Sequence, residues 1–154
     1  MRYWNQENFA GLKNVGEKYS SLTGYELFGQ YCLFKEQGLK KQANAAITKF
    51  IASAKTQSIQ IQREIAVELS ALNFWNSDIH QLMAYPLKIY LQEVLARWAG
   101  KEEADATPHR WLGHIAEDIS EFEKALVIDP KDEISLTRLA HWRSIMCNTN
   151  ERLF

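Results

Sequence analysis

The sequence predicts a single all-α domain, and three observations carry that prediction. No glycine occurs between Gly38 and Gly100, and Pro86 is the only proline in that stretch. A strand meander needs turn residues about every 8–12 positions, and this stretch does not supply them. Apolar residues recur instead at i, i+3, i+4 and i+7, the period of a helix that buries one face. Aromatic residues make up 12% of the 154 and fall mostly on those stripes, where large rings bury the most area. A chain of this length buries about 70% of its unfolded surface and needs neither disulfide nor metal to hold a core.

The elements follow in order. Residues 1–23 read as a docked N-terminal segment, one short helix that places Tyr3, Trp4, Phe9 and Leu12 on the body. Tyr25 to Gln37 carries Leu27, Phe28, Tyr31 and Phe34 on one side, and Gly38 ends it. Ala43, Ile47, Phe50, Ile51 and Ala54 line the next helix. Ile61, Ile65, Leu69, Leu72 and Trp75 mark another from near Thr56 to Asn76, closed by the polar run Asn76-Ser77-Asp78. The clearest helix starts at Pro86, with Leu87, Tyr90, Leu91, Val94, Leu95 and Trp98 on one face and Gly100 at its exit.

Lys101 to Thr107 is a polar connector, after which Thr107-Pro108 has the pattern of an N-cap and a first-turn proline. Trp111, Leu112, Ile115 and Ala116 form the apolar side of a short helix. A break is expected near Glu117, because Asp118 and Glu121 have capping-box spacing with Asp as the N-cap. A last helix starts near Asp132 and carries Ile134, Leu136, Leu139, Ala140 and Trp142. The count is about seven helices, stacked as antiparallel hairpins within one domain over residues 1–154.

Eighteen basic and nineteen acidic residues give a net charge of -1, without the positive field that nucleic-acid binding calls for. No apolar run approaches the ~18 residues of a membrane span. Cys32 and Cys147 stand far apart, with no CxxC spacing for zinc or a disulfide framework. The first residues lack the apolar core of a secretory signal, so a cytoplasmic protein with reduced thiols is expected.

Motifs for phosphate loops, dinucleotides, serine hydrolases and HExxH metalloproteases are absent from the chain. His114, Glu117, Asp118 and Glu121 would share one face of a continuous helix and could serve a metal or acid–base chemistry. A helical metal centre needs inward ligands from several helices, and the chain has no Glu-x-x-His pair. Asp78 and His80 form an Asp-x-His pair in the interrupted segment, where a polar surface turn is the commoner reading. No catalytic residue, metal ligand or cofactor site is assigned. Phe74-Trp75, Tyr85 and Tyr3-Trp4 lie at element ends, where an amphipathic ring can meet a partner.

The run Phe122-Glu123-Lys124-Ala125-Leu126-Val127-Ile128-Asp129-Pro130 resembles the second helix and exit turn of a tetratricopeptide repeat. That family has an aromatic, an alanine three residues on and a proline five beyond it. Leu136, Leu139 and Ala140 fall where a following repeat would begin, so residues 108–154 form the repeat-like part. A weaker match runs through Leu27, Phe34, Gly38, Ala43 and Ile47, with Tyr31 where the family has a small residue. The middle of the chain does not match, and an irregular α-helical bundle is the alternative architecture. The resemblance implies a ligand groove along the first helix of each hairpin. By register that groove includes Tyr25, Phe28, Cys32 and Lys35, and in the last segment Thr137 and His141.

The expected function is non-catalytic binding of another protein or a peptide. Alternatives are an immunity or antitoxin protein that covers a toxin, and a small helical enzyme or ligand-binding protein built around His114, Glu117 or His80. A homodimer burying Trp98 or Leu153-Phe154 is a third.

Overall fold

The computed structural model describes residues 2–101 and 105–152, with side chains placed over 6–101 and 105–149. The side chains of Tyr3 and Trp4, and residues 102–104, 153 and 154, lie outside that description. The expectations placed on Tyr3-Trp4, on the middle of the connector and on Leu153-Phe154 fall there. Among the described residues the protein is all-α, with eight helices and no strand. They are α1 (Arg2–Ser20), α2 (Glu26–Glu36), α3 (Lys40–Lys55), α4 (Ile59–Trp75), α5 (Tyr85–Ala99), α6 (Ala106–Ala116), α7 (Ile119–Ile128) and α8 (Glu133–Arg152). None is long and apolar enough to cross a membrane. The chain forms two compact units, 1–91 and 92–154, with the boundary inside α5.

In the first unit α1 packs on α2, α2 on α3, and α3 on α4. The N-terminal helix is not short: α1 runs 19 residues, straight through Gly11 and Gly16. Each glycine costs a helix about 1 kcal/mol, and close packing offsets that cost here. A Cβ on Gly11 would lie 2.6 Å from the Ile79 side chain, and one on Gly16 would lie 2.7 Å from Leu33. Leu12 is fully buried as expected, whereas Phe9 is 40% exposed. The tightest crossing is at Gly29 of α2, where a Cβ would stand 2.3 Å from the backbone nitrogen of Ser20. The core is aromatic: Phe28 meets Tyr19, Tyr31 and Phe50 at centroid distances of 5.4, 6.2 and 6.0 Å.

Buried tyrosines need partners for their hydroxyls, and three of them tie the unit together. Tyr19 donates to Glu68 at 2.6 Å, Tyr31 to the Gln81 carbonyl at 2.8 Å, and Tyr90 to the Gln62 side chain at 2.9 Å. The bond from Tyr31, with buried Ile79 and Leu82, draws the 76–84 segment onto the helices. Burial raises the Tyr31 hydroxyl well above the ordinary range, so it remains a donor at neutral pH.

In the second unit α6 packs on α7 and α7 on α8. The cap of α6 is Asp105 rather than Thr107: its carboxylate accepts from the Thr107 N–H at 2.9 Å, and Pro108 is the third helical residue. The chain turns at Glu117, where the break was expected. That residue is the only described non-glycine with positive φ, at 54°. The Asp118 N–H donates to Gly113 O at 3.0 Å, the six-to-one bond of a Schellman turn. Asp118 then caps α7 by accepting from Ser120 N at 3.0 Å. Glu121 does not close a capping box. Its carboxylate instead takes His109 Nδ1 at 2.7 Å and Lys124 Nζ at 2.9 Å. Gly113 lets α6 approach Phe122 closely, since a Cβ there would lie 3.0 Å from the ring.

Candidate functional site

α8 changes character along its length. Its start is anchored: Asp132 accepts from Ser135 N at 3.0 Å and pairs with Arg110, and Ser135 and Leu139 are buried. Burial acts to raise the Asp132 carboxyl, but the bonds from Arg110 and Ser135 outweigh it and hold the group below the usual carboxylate range. From Ala140 to Thr149 every residue is exposed. That stretch includes Trp142, Ile145 and Met146, at 41%, 49% and 45% exposure.

At 100° per residue these three share a stripe about 100° wide with Arg138 and Thr149. His141 and Arg143 flank it. No Asp or Glu occurs from 134 to 149, so the stripe is apolar with a positive border. Arg138 also leans over the Phe122 ring, 6.0 Å from its centroid. The arrangement is an exposed apolar stripe on the far half of α8 with Arg138, His141 and Arg143 along it.

The residues assigned to a groove by register are scattered. Phe28 and Cys32 are 1% and 0% exposed and present no surface to a ligand. Burial pushes the Cys32 thiol up to about 12, so it is also unreactive at neutral pH. Tyr25 is half-buried at the start of α2 and lines a cleft with Phe50 and Glu64. Lys35 is half-buried near the end of the same helix. In the second unit Thr137 and His141 are exposed, and His141 borders the α8 stripe.

Compared with protein-family models, with curated proteins and with solved structures, the chain matches none.

The histidines carry other duties or lie at the surface. The turn at Glu117 separates His114 from Glu121, and Glu121 faces His109 instead. His114 sets its ring edge-on to Trp111, with centroids 6.4 Å apart. Asp78 and His80 are both exposed. Among the described residues no group of three or more His, Cys, Asp and Glu side chains is placed to hold a metal ion. Trp75 and Tyr85 are 72% and 75% exposed at the ends of α4 and α5, where the sequence placed candidate contacts.

Sequence reasoning missed Ile145, Met146 and Arg143. A signal for them existed: helical spacing of apolar residues continues past Leu139, and the acidic residues of an ordinary solvated face are lacking.

Proposed function

We propose that this protein is a non-catalytic helical module that binds an acidic, amphipathic segment of another protein along the far half of α8. The observation that carries the reading is the exposed stripe of Trp142, Ile145 and Met146, bordered by Arg138 and Arg143 with no carboxylate in the stretch. A helix is marginal in water below about 12–15 residues without tertiary support. The exposed half of α8 therefore gains most from a partner that covers it. Tryptophan and arginine are also the residue types that dominate binding energy when a surface is desolvated.

Charge selects the occupant. A second copy would bring one face carrying Arg138 and Arg143 against the same face, and like charges across an interface are unfavourable. An amphipathic helix with acidic flanks meets both the apolar and the basic parts of the stripe. Covering the basic cleft of a nuclease, as some antitoxins do, suits this surface poorly for the same reason.

The resemblance to a tetratricopeptide hairpin supports the reading at a finer level. Phe122 and Ala125 are buried on α7, Pro130 follows its end, and α8 begins where a next repeat would start. Fold-level likeness alone does not assign function, so the proposal rests on the stripe.

The test uses two labelled helical peptides that share a leucine stripe and differ only in glutamate or lysine flanks, read by fluorescence anisotropy. The glutamate peptide is expected to bind, and Trp142→Ala with Met146→Ala to weaken it by roughly tenfold or more. Arg138→Glu with Arg143→Glu should shift preference toward the lysine peptide. Equal binding of both peptides, or binding that ignores these substitutions, overturns the reading. Concentration-dependent self-association abolished by Trp142→Ala would assign the stripe to a second copy instead.

A further inference from the structure

A cleft of about 410 Å³ opens in the first unit where α2 begins, α3 ends and α4 begins. That volume lies within the roughly 300–1,000 Å³ of small-ligand sites. Three features of its wall point to the same chemistry. The rings of Tyr25 and Phe50 stack, with centroids 6.4 Å apart and planes inclined by 29°. Tyr19 and Phe28 brace them from the core, with the Tyr19 ring 5.6 Å edge-on from Tyr25 and Phe28 6.0 Å from Phe50. Ile61 and Ile65 of α4 supply an apolar floor.

Among the described residues Glu64 is the only charged one lining the cleft. Its carboxylate accepts one hydrogen bond, from the Gln60 amide at 3.3 Å, and makes no ion pair among the described residues. Glu68 follows one turn later on the same face of α4 and is engaged by the Tyr19 hydroxyl. The Tyr25 hydroxyl has no hydrogen-bond partner among the described residues. Burial, with Glu68 and Glu64 nearby, pushes it up to about 12, so it stays neutral and the local potential stays negative.

An anion would meet Glu64 and no cationic side chain. A metal ion would find too few ligands, and a neutral apolar guest would strip water from Glu64 without replacing it. A cation over an aromatic face with a carboxylate beside it gains from both contacts. We infer that the cleft bounded by Tyr25, Phe50 and Glu64 binds an organic ammonium group carried on a short apolar body. The half-buried Tyr25 ring, with the buried Phe50 ring stacked against it, and the exposed Glu64 take the charge, and the exposed Ile61 takes the hydrocarbon. This site is separate from the α8 stripe and stands or falls without it.

The source of the ammonium is either a free small molecule or a lysine side chain of a peptide, and one titration separates them. Choline, its uncharged carbon analogue 3,3-dimethylbutan-1-ol, and Nα-acetyl-lysine methylamide are added to the full chain and followed by amide NMR. Choline or the lysine derivative is expected to give saturable shifts at Thr23, Gly24, Ser53 and Gln57, with the alcohol roughly tenfold weaker. Whichever cation binds more tightly names the source. Glu64→Gln, at an exposed position, should weaken the preferred cation by roughly tenfold while far-UV circular dichroism is unchanged. Tyr25→Leu should weaken it by a similar factor through loss of the ring. Absence of saturable shifts with both cations overturns the inference. So does an alcohol that binds as well as choline, or a cation that binds Glu64→Gln as well as the parent chain.

Discussion

The two units solve the same packing problem with different materials. In the first, a cluster of rings fills the space between helices, and tyrosine hydroxyls reach out of that cluster to satisfy themselves on Glu68, Gln81 and Gln62. In the second, polar and charged side chains cross between elements: His109 with Glu121, and Arg110 with Asp132. The aromatic unit gains from area removed from water, a gain that involves no change of charge. The charged unit gains from pairs whose worth depends on partial burial and on both partners being ionised. The difference extends to the cysteines, with Cys32 enclosed and Cys147 exposed on the uncovered half of α8.

The sharpest way to break this comparison is to remove a ring from the first unit. Phe28→Ala leaves a cavity among Tyr19, Tyr31 and Phe50 and is expected to cost about 3–5 kcal/mol in urea unfolding. A cost under 1 kcal/mol would mean the cluster collapses around the gap and is not the unit's mainstay. The thiols offer a second contrast. Cys147 should react with a disulfide reagent in the native state, while Cys32 reacts at least roughly a hundredfold more slowly, through opening of the fold. Comparable rates would place Cys32 outside a stable core.

In the charged unit, Asp132→Ala removes both the cap of α8 and the partner of Arg110. The expected loss is about 2 kcal/mol near neutral pH. The sign of its pH dependence follows from the lowered carboxyl. A group held below its unfolded pKa stabilises above that unfolded value, and the contribution disappears as pH falls through the folded value. The stability gap between parent and variant should therefore shrink below about pH 4. A gap that is constant with pH would show that neither the cap nor the Arg110 pair depends on the ionised carboxylate. The smallest effect is at the α6–α7 turn, where Glu117→Gly relieves a left-handed conformation. A gain of about 0.5–1 kcal/mol is expected by thermal unfolding, and a loss would show that the glutamate side chain supports the turn.

Local signals carried most of the helical reading. Pro86 opens a stripe that α5 then buries through Leu87, Leu91 and Leu95, and Asp118 marks the start of α7. Where local rules competed, the nearer-looking partner lost. Thr107-Pro108 has the pattern of a helix start, yet Asp105 reaches the Thr107 amide first. Glu121 stands at capping-box spacing, yet a packed helix presents His109 to it, and the carboxylate is taken up by that partly buried hydrogen bond instead of the cap. The first segment reads as one short helix, yet α1 runs on through Gly11 and Gly16, because a sequence records the cost of glycine but not the neighbour that needs the space. The groove residues were less legible still: Tyr25 reaches a cleft, while Phe28 and Cys32 turn inward.

By itself the sequence determined that this chain is helical, where the helices break, and that metal and phosphate motifs are missing. Those properties rest on periodicity, turn chemistry and residue type, all of which act over a few positions. Tertiary structure alone decided which faces are covered. It paired His109 with Glu121 and Arg110 with Asp132 across 12 and 22 positions, opened the cleft at Tyr25, and left α8 bare from Ala140 to Thr149. A helical period tells which side chains share a face, but only the packing of one helix on another decides whether that face meets protein or water.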